Sequence, residues 1–104
     1  MTKLVRLSST ELQNALKVLP QWRSVIRDGQ MDHIRRKYQF KTFETSWAFL
    51  TRVAMKAHRM GHHPTIINNY NIVELELTTH DVGGISELDV KMAKLLDKAA
   101  LEMS

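Results

Sequence analysis

A helix that runs into Gly61-His62-His63-Pro64 can go no further as helix, and that stop constrains the fold more than any other stretch of the chain. Upstream, Thr42 offers an N-cap, and Phe43, Trp47, Leu50, Ala54 and Ala57 recur at three- and four-residue steps through Met60, the period of an amphipathic helix. Glycine suits the left-handed residue that closes a helix, and proline can neither donate the next hydrogen bond nor fit its ring against the turn before it. The chain then changes period. Val73, Leu75 and Leu77 face one way while Ile72, Glu74, Glu76 and Thr78 face the other, the pattern of an antiparallel strand with one wet side. A hairpin through Asn69-Tyr70-Asn71 returns His80 toward the His62-His63 pair, and four of the five histidines fall between His58 and Asp89.

The flanks repeat these signals. Ser8 and Glu11 form a capping box, Leu7 and Leu12 are spaced as a hydrophobic staple, and Leu12, Ala15, Leu16 and Leu19 mark one helix face that Pro20 is predicted to end. Trp22 to Arg27 alternates loosely and meets Asp28-Gly29, a turn dipeptide. His33 to Phe40 resumes with Ile34, Tyr38 and Phe40 on one side and His33, Arg35, Lys37 and Gln39 on the other, so His33 is expected on a solvated strand face. Arg35-Arg36-Lys37 could hold phosphate, but alternation splits the triplet across both faces, which favours a solvated strand. Beyond His80, Gly83-Gly84 reads as a flexible turn, and Ser86 caps a last helix with Asp89 at its third position and Leu88, Met92, Leu95, Leu96, Ala99 and Met103 along one face. The order helix, strand, strand, helix, strand, strand, helix predicts an α+β fold, a four-stranded antiparallel sheet with three helices packed on one face.

With 104 residues, the chain is expected to form one domain over 1–104 with a single core. It has no cysteine, which excludes a disulfide framework, a thiolate nucleophile and a cysteine-rich metal site. No signal-peptide pattern opens the sequence and no apolar run is long enough to span a membrane, so the cytoplasm, with the nucleus as a second site, is the expected location. Lys and Arg exceed Asp and Glu by 15 to 11, too small an excess to imply direct nucleic-acid binding. The unpaired edges of so small a sheet favour a homo-oligomer, joined edge to edge.

Imidazole is the side chain that exchanges protons most readily near neutral pH, so histidines brought together suggest acid–base chemistry. Each has a plainer role open to it. His58 and His62 stand four apart like the ligands of a zinc helix, yet Arg59 occupies the place where that motif needs glutamate. His62-His63 could be a solvated helix C-terminus favoured by the dipole, Asp89 a helix cap, and His80 a surface residue. These separate roles leave their joint placement unexplained.

The pattern His58-x3-His62-His63-Pro64-x5-Tyr70-x9-His80-x8-Asp89 resembles the signature of the pterin-4a-carbinolamine dehydratases, also known as dimerisation cofactors of hepatocyte nuclear factor. The likeness extends through Phe40-Lys41-x-Phe43, Phe49-x-Thr51-Arg52-Val53-Ala54, Tyr70-Asn71, Val73, Thr79-His80 and Gly84-x-Ser86-Glu87-x-Asp89. It implies a dehydratase that removes water from 4a-hydroxytetrahydrobiopterin to give quinonoid dihydropterin, with no metal or organic cofactor. It also implies a homodimer or homotetramer and, as an alternative function, a protein-interaction module for a transcription factor. It places His62 and His80 in the acid and base roles and His63 in substrate positioning with some share in catalysis. Asp89 orients a histidine or closes the site, and Gly61, Pro64, Thr78, Thr79 and Asp81 surround the pterin ring. Three features depart from the usual pattern or bear on it: Gly61 and His58 stand where many members carry acidic residues, Trp22 matches a tryptophan near the pocket, and the hairpin through Asp28-Gly29 is longer than usual.

Overall fold

Residues 3–103 are described by a computed structural model. Helix α1 spans Ser9–Leu16, strands β1 and β2 span Arg23–Arg27 and Gln30–Gln39, and helix α2 spans Phe43–Met60. Strands β3 (Thr65–Asn69) and β4 (Ile72–Leu77) follow, then a short 3-10 turn over His80–Val82 and helix α3 over Glu87–Glu102. The four strands form one antiparallel sheet in the order β1-β2-β4-β3.

Local chemistry starts and stops these elements. At the head of α1, Ser8 Oγ accepts from the Glu11 amide at 3.1 Å and Glu11 returns a carboxylate to the Ser8 amide at 2.8 Å. The helix ends at Leu16, short of Pro20, because Lys17, Val18 and Leu19 turn to bonds three residues back, on Asn14, Ala15 and Leu16. Leu19 is still buried, so the apolar face continues past the helix proper. Asp28 and Gly29, with φ of 53° and 76°, form the two-residue left-handed loop that Asp-Gly favours between twisted strands. The β3–β4 loop puts Tyr70 at φ 55°, a conformation costly for a side chain this bulky. Asn68 steadies it by donating to Tyr70 O at 3.2 Å and Ile72 O at 3.0 Å, and Asn71 ties the loop to Phe40 O at 2.8 Å.

The core lies between one sheet face and the helices. Ile34 and Tyr38 of β2 and Val73, Leu75 and Leu77 of β4 meet Phe49, Leu50, Val53 and Ala57 of α2 and Val90, Met92, Ala93, Leu96 and Ala99 of α3. Arg36 projects from β2 toward Asp97 of α3, not into open solvent: it lies 4.1 Å over the Tyr38 ring and bonds Asp97 at 2.7 Å. Asp97 Oδ1 also accepts from Trp22 Nε1 at 2.9 Å and Tyr38 Oη at 2.5 Å. Burial, reinforced by this carboxylate, pushes the Tyr38 phenol above its ordinary range. The outer sheet face carries the Arg35–Glu74 ion pair at 3.0 Å. His33, expected there as a solvated residue, is buried, its ring held between Asp32 and Glu76. Strand alternation gives the side of the sheet a residue faces, and neighbouring side chains decide whether water reaches it.

Candidate active site

The end of α2 is a Schellman closure. The Gly61 amide returns to His58 O at 3.2 Å and the His62 amide to Ala57 O at 3.1 Å, with Gly61 left-handed at φ 61°. A Cβ built on Gly61 would meet nothing within 4 Å, so backbone conformation alone demands glycine here. The closure uses the His62 backbone, which fixes that ring at the point where the chain leaves the helix for β3. Pro64 follows, half-buried, just before β3 begins at Thr65.

The ring of His62 turns inward. Its Nε2 lies 2.5 Å from Asp89 Oδ1, and both side chains are buried, that of Asp89 completely. A carboxylate removed from water needs donors on its remaining lone pairs. Asp89 Oδ2 has two, Thr79 Oγ1 at 2.7 Å and the Ser86 amide at 2.9 Å. Thr79 Oγ1 and Ser86 Oγ are themselves 2.8 Å apart. Asp89 therefore closes the capping box of α3 and grips His62 with the same carboxylate. With Asp89 ionised, Nε2–H donates and the Nδ1 lone pair of His62 is left as an acceptor.

Thr79 links this network to the neighbouring histidine. It pairs with Gly84 across an isolated bridge, and between them His80–Val82 makes a 3-10 turn closed by left-handed Gly83 at φ 65°. The expected flexible Gly83-Gly84 turn is thus a hydrogen-bonded loop, with His80 at its start. Thr78 Oγ1 bonds Asp32 O at 2.6 Å and Gly84 O at 3.2 Å, so both threonine hydroxyls are engaged within the protein. His63, His80 and Asp81 are exposed, and neither the His63 nor the His80 ring makes a hydrogen bond among the described residues.

The structure thus joins His62, Thr79 and Asp89 directly and sets His80 beside them along the chain. His58 is exposed, and no cluster of three or more His, Asp or Glu side chains among the described residues is placed to hold a metal. Trp22 lies elsewhere, bonded to Asp97, eight residues or about 12 Å along α3 from Asp89. Sequence reasoning missed Asp32, whose backbone anchors Thr78. No motif marks it, because the contact depends on the register between β2 and β4.

A family model described as Pterin 4 alpha carbinolamine dehydratase matches residues 5–99. A protein of Bordetella avium (strain 197N), named for the pterin-4-alpha-carbinolamine dehydratases, is 42% identical over 92 residues, 88% of this chain and 82% of its own length. One of Synechococcus sp. (strain WH7803), named in the same way, is 44% identical over 91 residues, 88% of this chain and 92% of its own. The crystal structure of a transcriptional coactivator/pterin dehydratase from Brucella melitensis matches with a TM-score of 0.84 at 39% identity, covering 91% of this chain and 98% of that one. A pterin dehydratase-like protein described as a RuBisCO assembly factor in the alpha-carboxysome shares the fold, with a TM-score of 0.65 at 22% identity over 77% of this chain and 89% of its own. A match across nearly the whole length, on a chain that sets its histidines around one helix stop and one strand end, means that this protein belongs to the pterin-4a-carbinolamine dehydratase family.

Proposed function

We propose that the chain removes water from 4a-hydroxytetrahydropterin to give quinonoid dihydropterin, the step that allows tetrahydrobiopterin to be recycled after aromatic hydroxylation. The observation that carries this reading is the buried Asp89–His62 pair, bonded to Thr79, the residue beside His80. The elimination requires the C4a–O bond to break with its electrons leaving on oxygen, and that oxygen to receive a proton. The N5 lone pair forms the new C=N bond, and the N5 proton must be removed.

His62 suits the base, since Asp89 holds its Nε2–H and leaves Nδ1 to accept the N5 proton. His80, exposed at the head of its turn, suits the acid that protonates the leaving hydroxyl. After water departs, solvent returns the proton from His62 to His80 and both rings are reset. His63 positions the pterin. Gly61, Pro64 and Asp81 border the ring, while Thr78 and Thr79 support the site from behind.

The test is a coupled assay with enzymatically generated carbinolamine. Wild-type protein is expected to accelerate quinonoid formation, and His62→Ala and His80→Ala each to lower kcat about a hundredfold or more with the circular dichroism spectrum unchanged. Wild-type rates equal to buffer would sink the reading.

A second role, as a homo-oligomeric interaction module, is favoured by one feature. Phe43, Trp47 and Tyr70 are exposed and pack on one another, with Phe43 5.8 Å from Trp47 and 6.4 Å from Tyr70 between ring centres. The coactivator part of the Brucella melitensis protein's description points the same way. Active-site chemistry and this surface lie on different parts of the chain, so one protein can serve both.

A further inference from the structure

With no hydrogen bond of its own, the exposed His80 ring takes its place from the loop that carries it. That loop closes on itself: the Thr79 amide donates to Gly84 O at 2.8 Å, Val82 to Thr79 O at 3.1 Å and Gly83 to His80 O at 3.0 Å. Its outer side meets the segment ahead of α1. Arg6 lays its side chain across buried Gly84, where a Cβ would stand 2.6 Å from Arg6 Cδ and 3.1 Å from Arg6 Cγ. Gly83 is left-handed and Gly84 is not, so at Gly84 the Arg6 stem, and not backbone conformation, leaves room for glycine alone. Beyond the stem, Arg6 Nη1 donates to Gln30 Oε1 at 3.0 Å, at the head of β2, and makes a longer contact of 3.5 Å with Gly83 O. The next amide, that of Leu7, donates to Ile85 O at 2.8 Å.

We propose that Arg6 is a positioning residue for His80, strapping the 79–84 loop to the head of β2 so that the ring at the start of the loop keeps its direction. The proposal rests on reading His80 as a catalytic group. Gly83 is the link, for its carbonyl meets the Arg6 guanidinium while its amide holds His80 O. Thr78 and Thr79 anchor the loop from inside, through Asp32 O, Gly84 O and Asp89, and Arg6 closes it from outside. A surface loop opens at little cost where few packed contacts are lost, so removing the outer tie frees the segment without unfolding the domain. A displaced acid then weakens the transition state more than it weakens substrate binding.

The experiment follows amide hydrogen exchange by NMR, with kcat and KM from the coupled assay, for the wild type, Arg6→Ala and Arg6→Lys. Lysine keeps the stem over Gly84 and a donor at its tip, and alanine keeps neither. In Arg6→Ala the Val82 and Gly83 amides are expected to exchange about tenfold faster while those of β4 and α3 keep their wild-type rates, and kcat to fall about tenfold with KM little changed. Arg6→Lys is expected to recover most of both losses. In urea, Gly84→Ala is expected to lower the midpoint of the wild type and to lower that of Arg6→Ala much less, because the stem it collides with is gone. Wild-type exchange at Gly83 in Arg6→Ala, faster exchange throughout the protein, local opening with kcat unchanged, an Arg6→Lys protein that behaves like Arg6→Ala, or equal midpoint losses from Gly84→Ala in both backgrounds overturns the proposal. Exchange and urea midpoints are read without substrate, so they decide the strap even if the wild type fails to dehydrate the carbinolamine, a failure that sinks the catalytic reading separately.

Discussion

Asp89 shows how one residue can satisfy two demands made by different parts of the chain. As third residue of α3 it completes a capping box, and as a buried acceptor it takes the proton side of His62. The first role was legible in the spacing Ser86-x-x-Asp89, and the second was open only as a family expectation, because nothing local says what lies 27 residues back across the fold. Asp89→Asn separates the two roles. The amide oxygen can still accept from Thr79 and Ser86, but its NH2 then faces His62 Nε2 and forces the ring into the other tautomer, with Nδ1 protonated. We expect a retained fold, a stability loss of about 1–3 kcal/mol and a fall in kcat of about a hundredfold or more, checked by urea unfolding and the coupled assay on one preparation. His33 teaches the opposite lesson, for the alternation that placed it was correct about side and silent about burial.

At the scale of the element, the helices and turns were the most legible parts. Ser8, Thr42 and Ser86 each cap the helix that the sequence assigned them, and both hairpin loops fall where Asp-Gly and the Asn-Tyr-Asn run put them. Their signals are short-range, carried by side chains that bond backbone two or three residues away. The exception is the end of α1, where the pyrrolidine at Pro20 was expected to set the limit but the last turn tightens first. The Glu11 carboxyl of that helix is held below its ordinary value of 4.5, chiefly by the Ser8 backbone amide and then by the Ser8 hydroxyl. A depressed carboxyl adds stability that is present above the unfolded value and lost as pH falls through the folded one. Glu11→Gln is therefore expected to lower the urea midpoint slightly near neutrality and to flatten part of its decline below about pH 4.5. A decline as steep as that of the wild type would mean the cap does not survive in solution.

At the scale of the whole molecule, the order of elements followed from hydrophobic period together with caps and turns, and the burial of one sheet face from the two-residue alternation that is clearest in β4. What covers the remaining apolar surface did not. Ile66 and Ile67 on edge strand β3 and Phe43, Trp47 and Met55 on α2 are exposed in a single copy, and we expect self-association to shield part of them. Light scattering at micromolar concentration is expected to give a dimer or tetramer, with a melting temperature that rises with protein concentration. A monomer whose melting temperature is independent of concentration would refute that. The acceptor at Asp97 was also beyond reach of the sequence, for it gathers Trp22, Arg36 and Tyr38 from 75, 61 and 59 residues away. Rings that large close late during folding, after local helices and hairpins have formed. If the donors gathered on Asp97 of α3 fasten after the rest is in order, Asp97→Asn is expected to speed unfolding more than it slows folding, so that the cluster sets how long the native state lasts.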